Sequence, residues 1–157
     1  MLDYTALLSL VKENGKVCLK EGSGKTFCLH LGSAAEESVF ENGVYLLFDL
    51  FQIRTIAVPF SEVSLDIVEF ASKPTIYQSP VNPLLPLGAV NRGMVRFSLI
   101  REPNWNKLLY QIAHPVLFTE EKELEAEIQT NLHFPLFHPG KKELFLGPEG
   151  EVKIRKG

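Results

Sequence analysis

SLDIVEFASKPTIYQSPVNPLLPLGAVNRGMVRFSLIREPNWNKLLYQIAHPVLFTEE, residues 64–121, carries the densest alternation of helix and strand signals in the chain. Val63, Ile67, Phe70 and Ala71 recur at helical spacing and predict an amphipathic helix. It ends before Lys73-Pro74, because the residue preceding a proline is driven out of the helical region. TIYQS reads as a strand, and residues 80–86 (PVNPLLP) as a stiff proline-rich connection. MVRFSLI is a second strand. Asn104 then stands as the cap of a helix with Trp105, Leu108, Leu109 and Ile112 on one face. Residues 115–119 (PVLFT) form a third strand. Helix and strand alternate, which is the pattern of an α/β domain.

Working outward, the preceding runs VYLLFDL (44–50) and RTIAVPF (54–60) are continuously apolar and read as strands buried on both faces. Upstream, Asp3 caps a first helix in which Leu7, Leu10 and Val11 share a face, and Asn14-Gly15 stops it. KVCLK (16–20) and TFCLHL (26–31) are strand-like and flank a glycine turn. Ser33 and Glu36 match a capping box and predict a short helix to about Phe40. Downstream, Thr119 caps an acidic helix running to about Leu132, and ELFL and EVKIR, joined by GPEG, close the chain as a hairpin. With no repeat, low-complexity tract or linker, the expectation is a single α/β domain over residues 1–157. Its sheet would be twisted and mixed, with flanking helices.

Composition bounds the function without choosing it. The chain has 157 residues, 45% hydrophobic and 22% charged, enough to bury a core without a metal or disulfide staple. A net charge of −3 does not suit a protein whose main work is on a phosphate backbone. No apolar run approaches the ~20 residues of a membrane span. Asp3 stands where a secretory leader would be positive, so the expectation is a cytoplasmic protein with no membrane partner. Cys18 and Cys28 are symmetric about Ser23, so a hairpin would place them opposite one another; in a reducing cytosol two buried thiols are expected.

Several motifs invite chemistry. GSGKT at 22–26 lacks the first glycine of a P-loop, for which Leu19 stands, and it precedes a strand where a phosphate loop must open a helix. It reads as a hairpin turn. None of His30, His114, His133 and His138 is paired at helical spacing; His133 and His138 flank FPLF, where a metal would need Glu143, and loop histidines are the simpler reading. No G-x-S-x-G elbow anchors Ser–His–Asp chemistry. The acidic run TEEKELEAE reads as a solvated helix face. Arg92, Arg96, Arg101 and Lys107, with Phe97 and Trp105 interleaved, form the one local basic excess able to meet a phosphate or nucleic acid.

From Ser64 onwards the chain resembles the second half of YrdC-like domains, the L-threonylcarbamoyladenylate synthase family. The resemblance rests on Lys73-Pro74-Thr75-Ile76 opening a strand and on Gly93 with the strand from Met94 to Ile100. Glu102-Pro103 leading the helix from Trp105 to Ile112, Pro115-Val116-Leu117 and the closing FLGPEGEVKIRKG continue it. It covers about two-thirds of the chain. It implies a twisted α/β sheet with a concave basic cavity that binds ATP and threonine and, with bicarbonate, makes threonylcarbamoyl-adenylate for tRNA modification.

Carried over residue by residue, the family's Lys-x-Arg pair falls near LFDLFQIRT. Arg54 stands for the arginine, and Phe51 or Gln52 for the lysine. The strand arginine aligns with Ser98, with Arg96 two residues earlier on the same strand face. Of the S-T-S-A-N run only Thr119 is left, followed by Glu120, Glu121 and Lys122. EGSGKT lies near the position of the missing P-T-D/E-T segment, and KKEL replaces the late P-S-T. The chain is also short for the family. These departures imply a degenerate, non-catalytic member acting as a binding or accessory protein, its cavity altered or filled by Phe48, Phe51 and neighbours. It would need no cofactor and would meet an RNA or protein partner. Two alternatives stand beside it. One is a divergent synthase holding ATP and Mg²⁺ through Arg54, Arg96 and Thr119. The other is a double-stranded RNA-binding module using the arginine-bearing strand.

Overall fold

A computed structural model describes residues 2–32, 43–84, 90–91, 93–122 and 124–156. The first helix, α1 (Tyr4–Asn14), begins where the Asp3 carboxylate accepts from the Ala6 amide and ends on Gly15 at φ 74°. It buries Leu7 and Val11. Strands β1 (Lys16–Lys20) and β2 (Thr26–Leu31) form the expected antiparallel hairpin. The predicted helix of residues 33–40 lies outside the described residues. β3 (Val44–Leu47) is buried along its whole length, as its continuous apolar character requires.

The run RTIAVPF is not a strand. Asp49 and Gln52 form a capping box that winds residues 50–52 into one 3-10 turn, which leads into a short helix, α2 (Ile53–Ile56). Ile53 and Ile56 are buried from that helix, so the apolar residues find the core without joining the sheet; only Ala57 makes an isolated bridge, to Val81. The next helix, α3 (Glu62–Glu69), is capped by Ser61. Its buried residues are Ser64 and Val68, whereas Val63 and Phe70 are exposed, so the face expected from spacing is rotated. The cause is polar: the Ser64 hydroxyl reaches the Gly147 carbonyl at 2.7 Å, which turns that side of the helix inward.

β4 (Thr75–Pro80), β5 (Val90–Asn91) and β6 (Met94–Leu99) follow. Helix α4 (Pro103–Ile112) is capped by Glu102, not Asn104, with Pro103 at the first position that needs no donor. Asn104 instead donates to the Glu102 carboxylate. After β7 (Val116–Glu120) no described residue of the acidic run is helical. Its backbone is claimed by the edge of the sheet: the Glu127 amide donates to Cys18 O, the Thr130 amide to Lys20 O, and Ile128–Gln129 (β8) pairs parallel with β1. The hairpin of β9 (Lys142–Leu146) and β10 (Val152–Lys156) closes the chain as predicted.

The strands make one mixed sheet in the order β10-β9-β4-β6-β3-β7-β2-β1-β8, with β5 on β6. On one face Val17, Leu19, Phe27, Leu29, Val44, Leu46, Val116 and Phe118 pack under α1 and α4. On the other, Tyr45, Leu47, Tyr77, Val95, Phe97 and Leu117 pack with Ile53, Ile56 and Val68 of α2 and α3. Among the described residues no helix is long and apolar enough to cross a membrane.

Candidate functional site

Alternation along the strands fixes which sheet face each candidate residue occupies. Phe97 and Leu117 belong to the cluster under α2 and α3, so Thr119, two residues beyond Leu117, projects to that side, and Arg96, next to Phe97, projects to the other. Arg54 sits exposed on α2, on Thr119's side, with its carbonyl accepting from Asn82 at 2.8 Å. The structure thus places Arg54 and Thr119 on one side of the sheet and Arg96 on the opposite side. There Arg96 is ion-paired with Glu143 at 3.0 Å.

The position where the family resemblance implies a lysine is structural here. Gln52 accepts the Phe48 amide at 2.6 Å through Oε1, closing its own turn. Phe51 is 75% exposed and fills no cavity, whereas Phe48 is partly buried against the core and packs edge-on against Tyr110. Arg101 donates to the Val68 carbonyl, and the Lys107 ammonium lies over the Tyr4 ring. His138 accepts from the Gly140 amide and Glu143 is taken by Arg96, so the His133, His138 and Glu143 set does not assemble.

The GSGKT turn is built inward. Glu21, 2% exposed, accepts from the Ser23 amide, the Ser23 hydroxyl and the Lys25 amide through one oxygen, and from the Phe134 amide through the other. Amides that a phosphate loop would offer to a ligand are spent on the chain's own carboxylate. Burial works against the charge, but these hydrogen bonds outweigh it and hold the Glu21 carboxyl below its ordinary range. Gly22 is required because a side chain there would meet the Asn131 carbonyl at 2.4 Å. Beside this turn a cavity of about 490 Å³ is lined by Glu21, Glu102, His133, Phe134 and Phe137. A smaller one of about 190 Å³ lies under Lys73, Tyr77, Arg101 and Glu102. Burial pushes the Tyr77 phenol up, against a hydrogen bond to Thr75 and the Arg101 charge.

Among the described residues, the group with metal-ligating side chains lies on Thr119's side of β1, β2 and β7. Cys18 and Cys28 face each other in register and are joined as a disulfide, overturning the expectation of two thiols. His30 Nε2 meets Thr119 Oγ1 at 2.9 Å, and Thr119 Oγ1 lies 3.4 Å from Glu121 Oε1. Cys28, His30 and Glu121 bring potential ligand atoms within 4.8 Å of one another. The sequence shows the cysteine symmetry and the i, i+2 spacing of Cys28 and His30. It does not show that β7 would be the next strand.

No protein-family model matches the chain, and no curated protein matches it by sequence. Solved structures do. YciO of E. coli superposes with a TM-score of 0.73 at 11% identity, over 98% of this chain and 87% of that one. HypF, in its phosphate- and nucleotide-bound form, gives 0.69 at 12% identity over 98% of this chain, which spans only 28% of HypF. Sua5 of P. abyssi complexed with L-threonine gives 0.65 at 9% identity, over 91% of this chain and 50% of Sua5. At such identities the likeness lies in the backbone path and the order of its elements, and the fold of this chain is YrdC/Sua5-like.

Proposed function

We propose that this chain keeps the YrdC-like fold without its adenylate-forming chemistry and serves as a non-catalytic binding or accessory protein. The observation that carries this reading is the separation of Arg96 from Arg54 and Thr119 by the thickness of the sheet. Adenylate formation needs cationic and polar groups converging on one triphosphate. Here one arginine is turned away into an ion pair, and the threonine hydroxyl is engaged by His30. The Gln52 carboxamide is spent on its own turn. Glu120 and Glu121 follow Thr119, and the larger cavity is lined by two carboxylates, so like charge would oppose a bound triphosphate. The RNA alternative has less behind it, because Arg96, Arg101 and Lys107 are all engaged locally.

The test is a thermal-shift titration with ATP–Mg²⁺, with L-threonine, and with both and bicarbonate. A ligand that binds only the native state raises Tm through RT ln(1 + [L]/Kd). The expected result is no shift at millimolar ligand. A shift larger with all components than with either alone, accompanied by pyrophosphate release, would establish the divergent synthase instead.

A further inference from the structure

Beyond the His30 contact that engages Thr119, the disulfide, His30 and Glu121 make a set of potential ligands that the proposed function does not use. On one sheet face, β1 contributes Cys18 and β2 contributes Cys28 and His30, and Glu121 follows directly after β7, its amide donating to the Thr26 carbonyl at 3.2 Å. Cys28 is directly opposite Cys18 on one side and Thr119 of β7 on the other, so strand register holds the cysteines and His30, and the backbone bond at Thr26 holds Glu121 beside them. Both cysteines and His30 are buried, at 3%, 2% and 7% exposure, which holds their positions without a flexible loop. The geometry points to a redox-gated site for one divalent transition ion of zinc type. It is closed while Cys18 and Cys28 are bonded, and open when they are thiols.

The chemistry balances. A dithiol supplies two electrons and two protons and becomes a disulfide itself. A phosphine supplies the two electrons and becomes its oxide, with water giving the oxygen and both protons. Either way the S–S bond breaks and two thiols are left. Zinc then displaces both thiol protons and forms two Zn–S bonds, with a His30 ring nitrogen and a Glu121 oxygen completing four-coordination. Two thiolates, one imidazole and one carboxylate are a donor set that favours zinc over magnesium or calcium, which prefer oxygen. The Cys28, His30 and Glu121 donor atoms, within 4.8 Å of one another, need only contract by about 1 Å to reach ligand separations set by bonds of about 2.0–2.3 Å. Thr119, between His30 and Glu121, is placed to orient both and is a positioning residue.

The experiment uses the full chain with and without the phosphine TCEP, titrated with Co²⁺ and then Zn²⁺. The expected result is no binding by the oxidised chain. The reduced chain should take up one Co²⁺ with a thiolate charge-transfer band and tetrahedral d–d absorption, displaced by Zn²⁺. His30→Gln should weaken binding about 10–100-fold. The Cys18→Ser/Cys28→Ser double variant should abolish it. Because an unfolded chain also binds zinc through its thiols, the reduced protein is melted in parallel. Zn²⁺ should raise its Tm, as binding to the native state alone requires. Equal binding by oxidised and reduced chains, no effect of His30→Gln, or binding that lowers Tm would each overturn the proposal and leave the disulfide as a staple.

Discussion

The two faces of the sheet are built on different principles. Under α1 and α4, Phe27, Phe118, Phe134 and Phe137 pack into one aromatic cluster that Trp105 joins through Phe27 and Phe134, with Phe27 and Phe134 stacked at 4.5 Å and Trp105 edge-on to Phe134 at 5.0 Å. The opposite face is apolar only where α2 and α3 cover it. Over β1, β2 and β7 it carries a disulfide, a histidine, a threonine and a glutamate instead. An apolar face needs only volume and shape, whereas buried polar groups are retained only if each finds a partner. The first face thus holds the fold, and the second carries the chemistry specific to this chain.

Truncating the aromatic face is the strongest way to break it. Trp105→Ala removes a side chain that is 1% exposed and a hydrogen bond to the His133 carbonyl, and should cost about 3–5 kcal/mol in urea unfolding. A loss below about 1 kcal/mol would mean that the aromatic cluster is not the anchor of the fold. The buried carboxylate at the edge of that face comes next. Glu21→Ala leaves the Ser23, Lys25 and Phe134 amides without their acceptor and should cost about 2–3 kcal/mol.

Glu21 also predicts a pH dependence. Its folded pKa is depressed below the ordinary value of 4.5, so its stabilisation is fully present above that value and is lost as pH falls through the lower folded value. Glu21→Gln should therefore flatten the acid limb of the stability curve below about pH 4.5 while leaving the slope near neutrality unchanged. A limb as steep as in the wild type would remove Glu21 as its source. The smallest effect belongs to the polar face: Thr119→Val removes the His30 contact and should cost about 1 kcal/mol. An unchanged urea midpoint would show that the hydrogen bond is formed without net gain, sharpening the case that Thr119 is there to orient His30.

Much of the fold was legible because its signals are local. Asp3 and Gly15 bracket α1, the 21–25 turn joins β1 to β2, and the spacing of Trp105, Leu108, Leu109 and Ile112 specifies the buried face of α4. Misreadings fell where a long-range partner overrode local propensity. The glutamate-rich run yields to edge pairing with β1, RTIAVPF to the Asp49–Gln52 capping box, and the expected face of α3 to Ser64 bonding Gly147. The candidate site was less legible. Arg96 and Thr119 lie 23 positions apart on strands whose alternation is clear, but the sheet side each faces depends on register with β3.

Local signals along the chain are enough for the alternation of helices and strands, the two hairpins and the placing of Cys18 opposite Cys28. Each follows from periodicity, turn residues or symmetry within a few residues of chain. Long-range packing sets the rest: Arg96 and Thr119 part to opposite faces, Glu21 is buried under four donors, and His30 and Glu121 join the cysteines. Those outcomes depend on which distant strand lies alongside, and a one-residue change of register would send every such side chain to the other face.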